Sequence, residues 1–237
     1  MAVYVLNNGR SIKITSNSDA STTQQNFRYF CRSMQLDIIE RYFPDLTDLQ
    51  KERFAQLPAI YEEWNAKINV ISRKDMDHFL ERHVLHSLAI ARYQPFKKGW
   101  YVVDLGTGGG FPGIPLSILY PDVHFVLIDS IGKKIRVVEA VKAALDLQNV
   151  EVIWGRAEQS KVKANLVVTR AVAPLKQLVE WTEPILKVQS KGIIALKGGD
   201  LSEELTGFKK RTTVVPVTEF YEEPFFETKM LVHYKPL

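Results

Sequence analysis

From Trp100 onward, apolar runs of strand length alternate with stretches of helical period, and this alternation limits the possible folds most. The runs are WYVVDL (100–105), HFVLID (124–129), VEVIW (150–154), NLVVTRAV (165–172) and GIIALK (192–197). Continuous apolar strands separated by helices predict a parallel sheet covered on both faces. The last two runs, TTVVPVTEF and TKMLVHYK, have no helical segment between them and predict an antiparallel hairpin at one sheet edge. Residues 99–237 are therefore expected to form an α/β domain with a mostly parallel seven-stranded sheet.

The preceding segment, residues 34–98, has a helical period instead. LDIIERYF suits a short helix ending before Pro44, and Thr47 to Gln50 has capping-box spacing for the next. Leu49, Phe54, Leu57, Ile60, Tyr61, Trp64 and Ile68 then form one apolar stripe, which Pro58 is expected to kink or break. Another helix is predicted from about Asp75 to Tyr93, with Phe79, Leu80, Val84, Leu88 and Ala91 inward. Residues 1–33 read differently: VYVL and SIKI suggest a hairpin around NNGR, followed by a polar stretch. That segment is read as an appendage, with a basic arm that touches RNA, or an extension ahead of a start at Met34, as the other readings.

Composition narrows the function classes. The 237-residue chain has a net charge of +4, of which +3 falls in residues 1–33, so any basic surface must be local. Cys31 is the single cysteine, which rules out a disulfide framework and a thiolate metal site. No apolar run approaches the ~18 residues a membrane helix needs, and MAVYVLNNGR does not read as a secretory leader. A cytoplasmic protein with no metal is expected.

The loop that carries chemistry is Asp104-Leu-Gly106-Thr-Gly108-Gly-Gly110-Phe111-Pro-Gly113, directly after the first strand and before a helix. Its glycines allow a tight turn and a close backbone approach to a ligand. Asp129 ends the second strand, where a carboxylate can accept both hydroxyls of a ribose. A dinucleotide and S-adenosylmethionine both fit the spacing. Asp104 favours the latter, because a carboxylate there can face the ammonium of the methionine moiety but would repel a pyrophosphate. With the terminal hairpin in place of a second mononucleotide half, the expected fold is a Rossmann-like class I methyltransferase preceded by a small helical region.

The acceptor can be narrowed by chemistry. Cytosine-C5 transfer needs a cysteine nucleophile, and Cys31 lies in the N-terminal appendage. Exocyclic amino transfer commonly uses an Asn/Asp-Pro-Pro-aromatic loop after the fourth strand, where this chain has Thr169-Arg170-Ala-Val-Ala-Pro174. Guanine N7 needs no deprotonation, since its lone pair lies in the ring plane, and catalysis there is mostly alignment.

These features together resemble a known family. DLGTGGGFPGIPLSILYPDVHFVLIDSIGKK, with WNAKINVISRKD and FLERHVLHSL before it and TRAVAPL and ALKG after it, resembles the glucose-inhibited division protein B family. Its members are bacterial small-subunit (16S) ribosomal RNA guanine-N7 methyltransferases, and the resemblance runs from about Met34 to the C-terminus. It implies S-adenosylmethionine against Gly106, Gly108, Gly110 and Phe111, Asp129 at the ribose, and Ala157 and Glu158 beside the adenine. It places Arg170 at the cofactor facing the target, and Lys197 on the same rim toward RNA phosphate or the base, the two expected catalytic residues. Where this chain has His86, the family often has Asp.

RNA contacts are expected from Arg73, Arg82, His83, Lys133 and Lys134, with the small ribosomal subunit or its RNA as partner and a monomer as the working form. His83 and His86 have a spacing that can ligate metal, but no further ligand cluster accompanies them. A small-molecule methyltransferase and a non-catalytic RNA-binding assembly factor are the alternative readings.

Overall fold

A computed structural model describes residues 3–7, 10–14 and 36–236. Strands β1 (Val3–Asn7) and β2 (Arg10–Ile14) pair antiparallel, as the NNGR turn predicts. The polar stretch after them, with Cys31 and Met34, lies outside the described residues, as does the side chain of Arg73.

The helical region opens with α1 (residues 36–42) and α2 (Asp48–Asn65). The capping box forms: Thr47 Oγ1 accepts from the Gln50 amide, and Gln50 Oε1 accepts from the Thr47 amide. Helix α2 runs through Pro58, so of the expected kink or break, the break does not occur. A proline inside a helix forfeits one N–H bond, and the burial of Phe54, Leu57 and Tyr61 on either side of it outweighs that local loss. Leu49, expected inward, is 54% exposed because it lies in the first turn, off the buried face.

The predicted helix over 75–93 is helical without a break from residue 79 to 93, a π-helical stretch (Leu80–Leu85) leading into α4 (His86–Tyr93), and a separate short α3 (Arg73–Met76) precedes it. Its expected inward residues are all buried. Wide π turns are uncommon and concentrate at functional sites, and this one carries Arg82 and His83. Helix α4 is buried on every side from His86 to Ala91, as expected of a helix inserted between layers.

The remaining elements are β3 (Tyr101–Leu105), α5 (Gly113–Leu119), β4 (His124–Asp129), α6 (Gly132–Ala144), β5 (Val150–Trp154), β6 (Leu166–Arg170), α7 (Leu175–Thr182), β7 (Ile193–Gly198), β8 (Thr212–Pro216) and β9 (Lys229–Tyr234). Strands β3 to β9 form one seven-stranded sheet in the order β5-β4-β3-β6-β7-β9-β8. The first five in that order are parallel, and β9 enters antiparallel between β7 and β8 as the predicted hairpin. One face of the sheet shares a continuous core with the helical region, from Leu36 and Tyr61 through Leu88 to Phe125 and Leu231. The other face packs on α7 through Val167, Leu178 and Ile193.

The chain leaves β3 toward β4 on one side and returns to β6 on the other. A crevice therefore opens beyond the carboxyl ends of β3 and β6, where ligands bind in open α/β sheets. Among the described residues no helix is long and apolar enough to cross a membrane.

Candidate active site

A cavity of about 500 Å³ occupies this crevice. Its walls include Gly106 to Gly109 after β3, Phe111, Asp129 to Ile131 at the end of β4, Gly155 to Glu158 after β5, and Arg170 at the end of β6. Most of these residues end a parallel strand or lie in the loop that follows it, so the sheet brings them together, and Val70 of the helical region completes the wall.

Asp104, at the end of β3 and fully buried, organises the glycine loop. Its Oδ2 accepts from Thr107 Oγ1 at 2.5 Å and from the Gly113 amide at 2.8 Å, closing the loop from both ends. Oδ1 has no partner among the described residues. Burial pushes this carboxyl up to about 7, against the opposing pull of those hydrogen bonds and of Arg170. Asp104 thus lies beneath the loop rather than in the cavity wall, where a contact with a methionine ammonium had been expected.

Within the loop, Gly106 has φ +67, and a Cβ there would meet Val172 Cγ2 at 2.6 Å. Gly110 has φ +100, and a Cβ would meet Ile114 and the Tyr61 hydroxyl at under 3 Å. Gly110 holds the turn through its amide, bonded to the Thr107 carbonyl, and does not line the cavity.

Asp129 joins the loop to the next strand end. Oδ2 accepts from the Gly108 amide at 2.9 Å and Oδ1 from the Ile131 amide at 2.8 Å. A carboxylate has about four acceptor sites, so lone pairs remain toward the cavity that Asp129 lines. Ala157 is buried at the far wall, and Glu158 is half-exposed there, 3.9 Å from Arg156. A carboxylate with free acceptor capacity, a glycine cradle and this volume fit an adenosyl cofactor with an amino-acid tail.

The opposite wall is cationic and aromatic. Arg170 Nη2 lies 3.0 Å from His83 Nδ1, and its guanidinium stands 5.0 Å from the Phe111 ring centre. Burial brings the guanidinium down to about 10, which leaves it charged at neutral pH. A guanidinium only donates, so His83 Nδ1 accepts and its proton sits on Nε2, which is buried without a partner. Burial, aided by Arg170, pushes His83 down to about 3. His83 packs between Phe79 and Phe111, partly buried, with its Nδ1 committed to Arg170. Burial also holds His86 neutral, against Phe225 and Phe226. The two histidines face different neighbours. Among the described residues no group of three His, Cys, Asp or Glu side chains is placed to hold a metal ion.

The other expected residues divide. Lys134 lines the cavity and Lys133 is exposed beside it. Arg82 is tied to Asp75 at 2.8 Å, near the Phe225 ring. Lys197 is placed otherwise than expected: its ammonium donates to the Ala173 carbonyl at 2.8 Å and pairs with Glu204 at 2.7 Å. Glu204 also accepts the Leu175 amide, so Lys197 braces the start of α7 and is not free for a phosphate.

Tyr61 was legible only as a core residue of the apolar stripe. Its buried hydroxyl donates to the Gly109 carbonyl at 2.5 Å while its ring packs on Phe79 and Phe111. Tyr61→Phe should cost about 1–2 kcal/mol of stability, read by denaturant melting, because the Gly109 carbonyl loses its buried donor. Cofactor affinity should fall severalfold with it, and an unchanged affinity would show that the loop holds its shape without this bond.

The buried titratable groups set an acid response. His83 and His86 are neutral in the fold, so the unfolded chain binds more protons below about 6.5, and stability is lost as pH falls through that range. Asp104 acts oppositely: its stabilising protonation is complete below about 4 and lost as pH rises toward 7. Two histidines against one carboxyl predict a net fall in melting temperature from pH 6.5 to 5. A rise would show that Asp104 dominates.

Comparison with known proteins agrees with this geometry. The family model described as "GidB: rRNA small subunit methyltransferase G" matches residues 50–226. Ribosomal RNA small subunit methyltransferase G of Flavobacterium psychrophilum is 52% identical over 203 residues, covering 84% of this chain and 97% of the relative. The protein of the same name from Parabacteroides distasonis is 48% identical over 219 residues, covering 90% and 95%. Among solved structures, a MtNAS variant in complex with S-adenosylmethionine superposes with a TM-score of 0.53 at 17% identity, covering 79% of this chain and 77% of that one, a likeness of fold. With a family match across most of its length and relatives at about half identity, this chain belongs to the rRNA small subunit methyltransferase G family.

Proposed function

We propose that the chain transfers the methyl group of S-adenosylmethionine to N7 of one guanine in small-subunit ribosomal RNA, acting as a monomer in the cytoplasm. The observation that carries the chemistry is the cavity with Asp129 on one wall and Arg170 on the other. Asp129 takes the ribose hydroxyls, Gly106 and Gly108 let the backbone approach the cofactor, and Ala157 and Glu158 flank its adenine. When bound, the cofactor supplies a methyl group on a positively charged sulfur.

The remaining work is alignment. Guanine N7 attacks with a ring lone pair, so no residue has to remove a proton. His83 fits that requirement: it is partly buried, neutral and committed to Arg170. Arg170 is a fixed donor at the cavity, held by His83 and packed on Phe111, and it can grip the target base by its oxygen-bearing edge. Fixing the angle between N7, methyl and sulfur is where such a site gains rate. Lys134 and Lys133 take RNA phosphates around the rim, and Arg82, already paired with Asp75, adds charge nearby.

The test is methyl transfer from labelled S-adenosylmethionine to small ribosomal subunits from cells lacking this activity, followed by nucleoside analysis. Label in 7-methylguanosine at one site is the expected result. Cofactor binding without RNA labelling would point to a small-molecule acceptor. Subunit binding without methyl transfer would make the chain an assembly factor.

A further inference from the structure

We propose that Trp154 is a stacking platform for an unpaired base of the RNA, outside the cofactor cavity; this rests on the RNA reading above. Trp154 is 72% exposed, the last residue of β5, and β5 is the sheet's outer edge. An exposed tryptophan free to change rotamer would be an unremarkable piece of surface. This one is held in place. Its Nε1 donates to the Ser130 carbonyl at 3.1 Å. Its ring lies over Gly132, where a Cβ would come within 2.9 Å of Cε2 and 3.0 Å of Cζ2. Only a residue without a side chain lets the indole lie there.

The consequence is a flat π surface fixed along one edge and one face, with its single polar atom already satisfied. Such a surface asks for a stacking partner and no hydrogen bond, which suits a base of any identity. Ile131 beside it is 41% exposed. Two exposed cations, Lys133 and Arg136, follow Gly132 in the first turns of α6, with Glu139 the exposed acid beyond them. Arg156 and Glu158 pair with each other at 3.9 Å and offset, and Asp129 lines the cofactor cavity. Glu151 is three residues before Trp154 on β5, and alternation along a strand puts it on the opposite face. Cations around a bare aromatic match phosphates around a base. An apolar protein partner would want a broader patch than one indole and one isoleucine. Ser130, Ile131 and Gly155 reach the cavity wall, so RNA on the platform shares the rim with the reacting site.

The experiment compares wild type, W154F and W154L for binding to in vitro transcribed small-subunit ribosomal RNA and to small ribosomal subunits. W154L should bind both about five- to a hundredfold more weakly, and W154F should stay within about threefold of wild type. The slope of log affinity against log salt should be unchanged in W154L and fall by about one in K133A. RNA should quench the Trp154 emission, with W154F as the blank for the other three tryptophans. Cofactor affinity should be the same in all, with melting curves confirming that each variant is folded. Wild-type RNA affinity in W154L overturns the platform, and if subunit binding alone falls, the partner is a ribosomal protein. Equal losses in W154F and W154L overturn stacking. A parallel loss of cofactor affinity assigns Trp154 to the cofactor site instead. Wild type that binds neither RNA nor subunit overturns the RNA reading and the platform with it.

Discussion

Replacing Arg170 by alanine should lower kcat about 10²–10³-fold, the scale of losing one preorganised charged donor at a reacting centre. Arg170 is partly buried, packed on Phe111 and bonded to His83, so its position is set before any ligand arrives. Arg170→Lys should be little better. A lysine offers a point charge on a flexible stem and cannot reproduce a planar fork that stacks on one ring and bonds another. The loss should appear in kcat at saturating cofactor, with cofactor affinity changing much less. A second readout separates alignment from plain structural support: without the Arg170 charge, the His83 imidazole should titrate higher, though burial, the larger cause, still keeps it low. A kcat within threefold of wild type in both variants would remove Arg170 from the reaction.

The sheet could be read from the sequence because its physics is local. Apolar runs of strand length, most of them separated by helices, point to a parallel sheet, and the strands HFVLID and VEVIW match β4 and β5 residue for residue, although only a short 3-10 turn joins β5 to β6. The glycine loop and Asp129 were legible for a similar reason: tight turns and strand-end carboxylates need particular residue types at particular spacings. Less legible was whatever depends on a distant partner. Lys197 ends a strand on the correct rim, but its ammonium is taken by Glu204 of a loop whose path no local pattern gives. Tyr61 and His83 look like core positions in helical stripes, and only the packing of the helical region on the loop turns them toward Gly109 and Arg170. Pro58 misled in the same way, because a local helix breaker lost to tertiary burial.

Asp129→Ala should weaken S-adenosylmethionine binding by about 1–3 kcal/mol, the usual consequence of stranding hydrogen-bond partners, or roughly five- to a hundredfold in Kd. The two carboxylate oxygens act at once on the protein and on the ligand. Toward the protein they hold the Gly108 and Ile131 amides, pinning the glycine loop to the turn after β4. Toward the cavity, which Asp129 lines, the proposed function gives their remaining lone pairs to the ribose diol. The substitution should therefore also lower the stability of the ligand-free protein by about 1–3 kcal/mol. Asp129→Asn separates the two roles poorly by design: an amide has one acceptor oxygen, so its NH₂ must face one of the two backbone N–H groups. It should rank with alanine, although it is nearly isosteric. Calorimetry for affinity and denaturant melting for stability read the two effects independently. Lost stability with wild-type affinity would confine Asp129 to bracing the loop. Lost affinity with unchanged stability would mean that solvent satisfies the Gly108 and Ile131 amides and that the carboxylate serves the ligand alone.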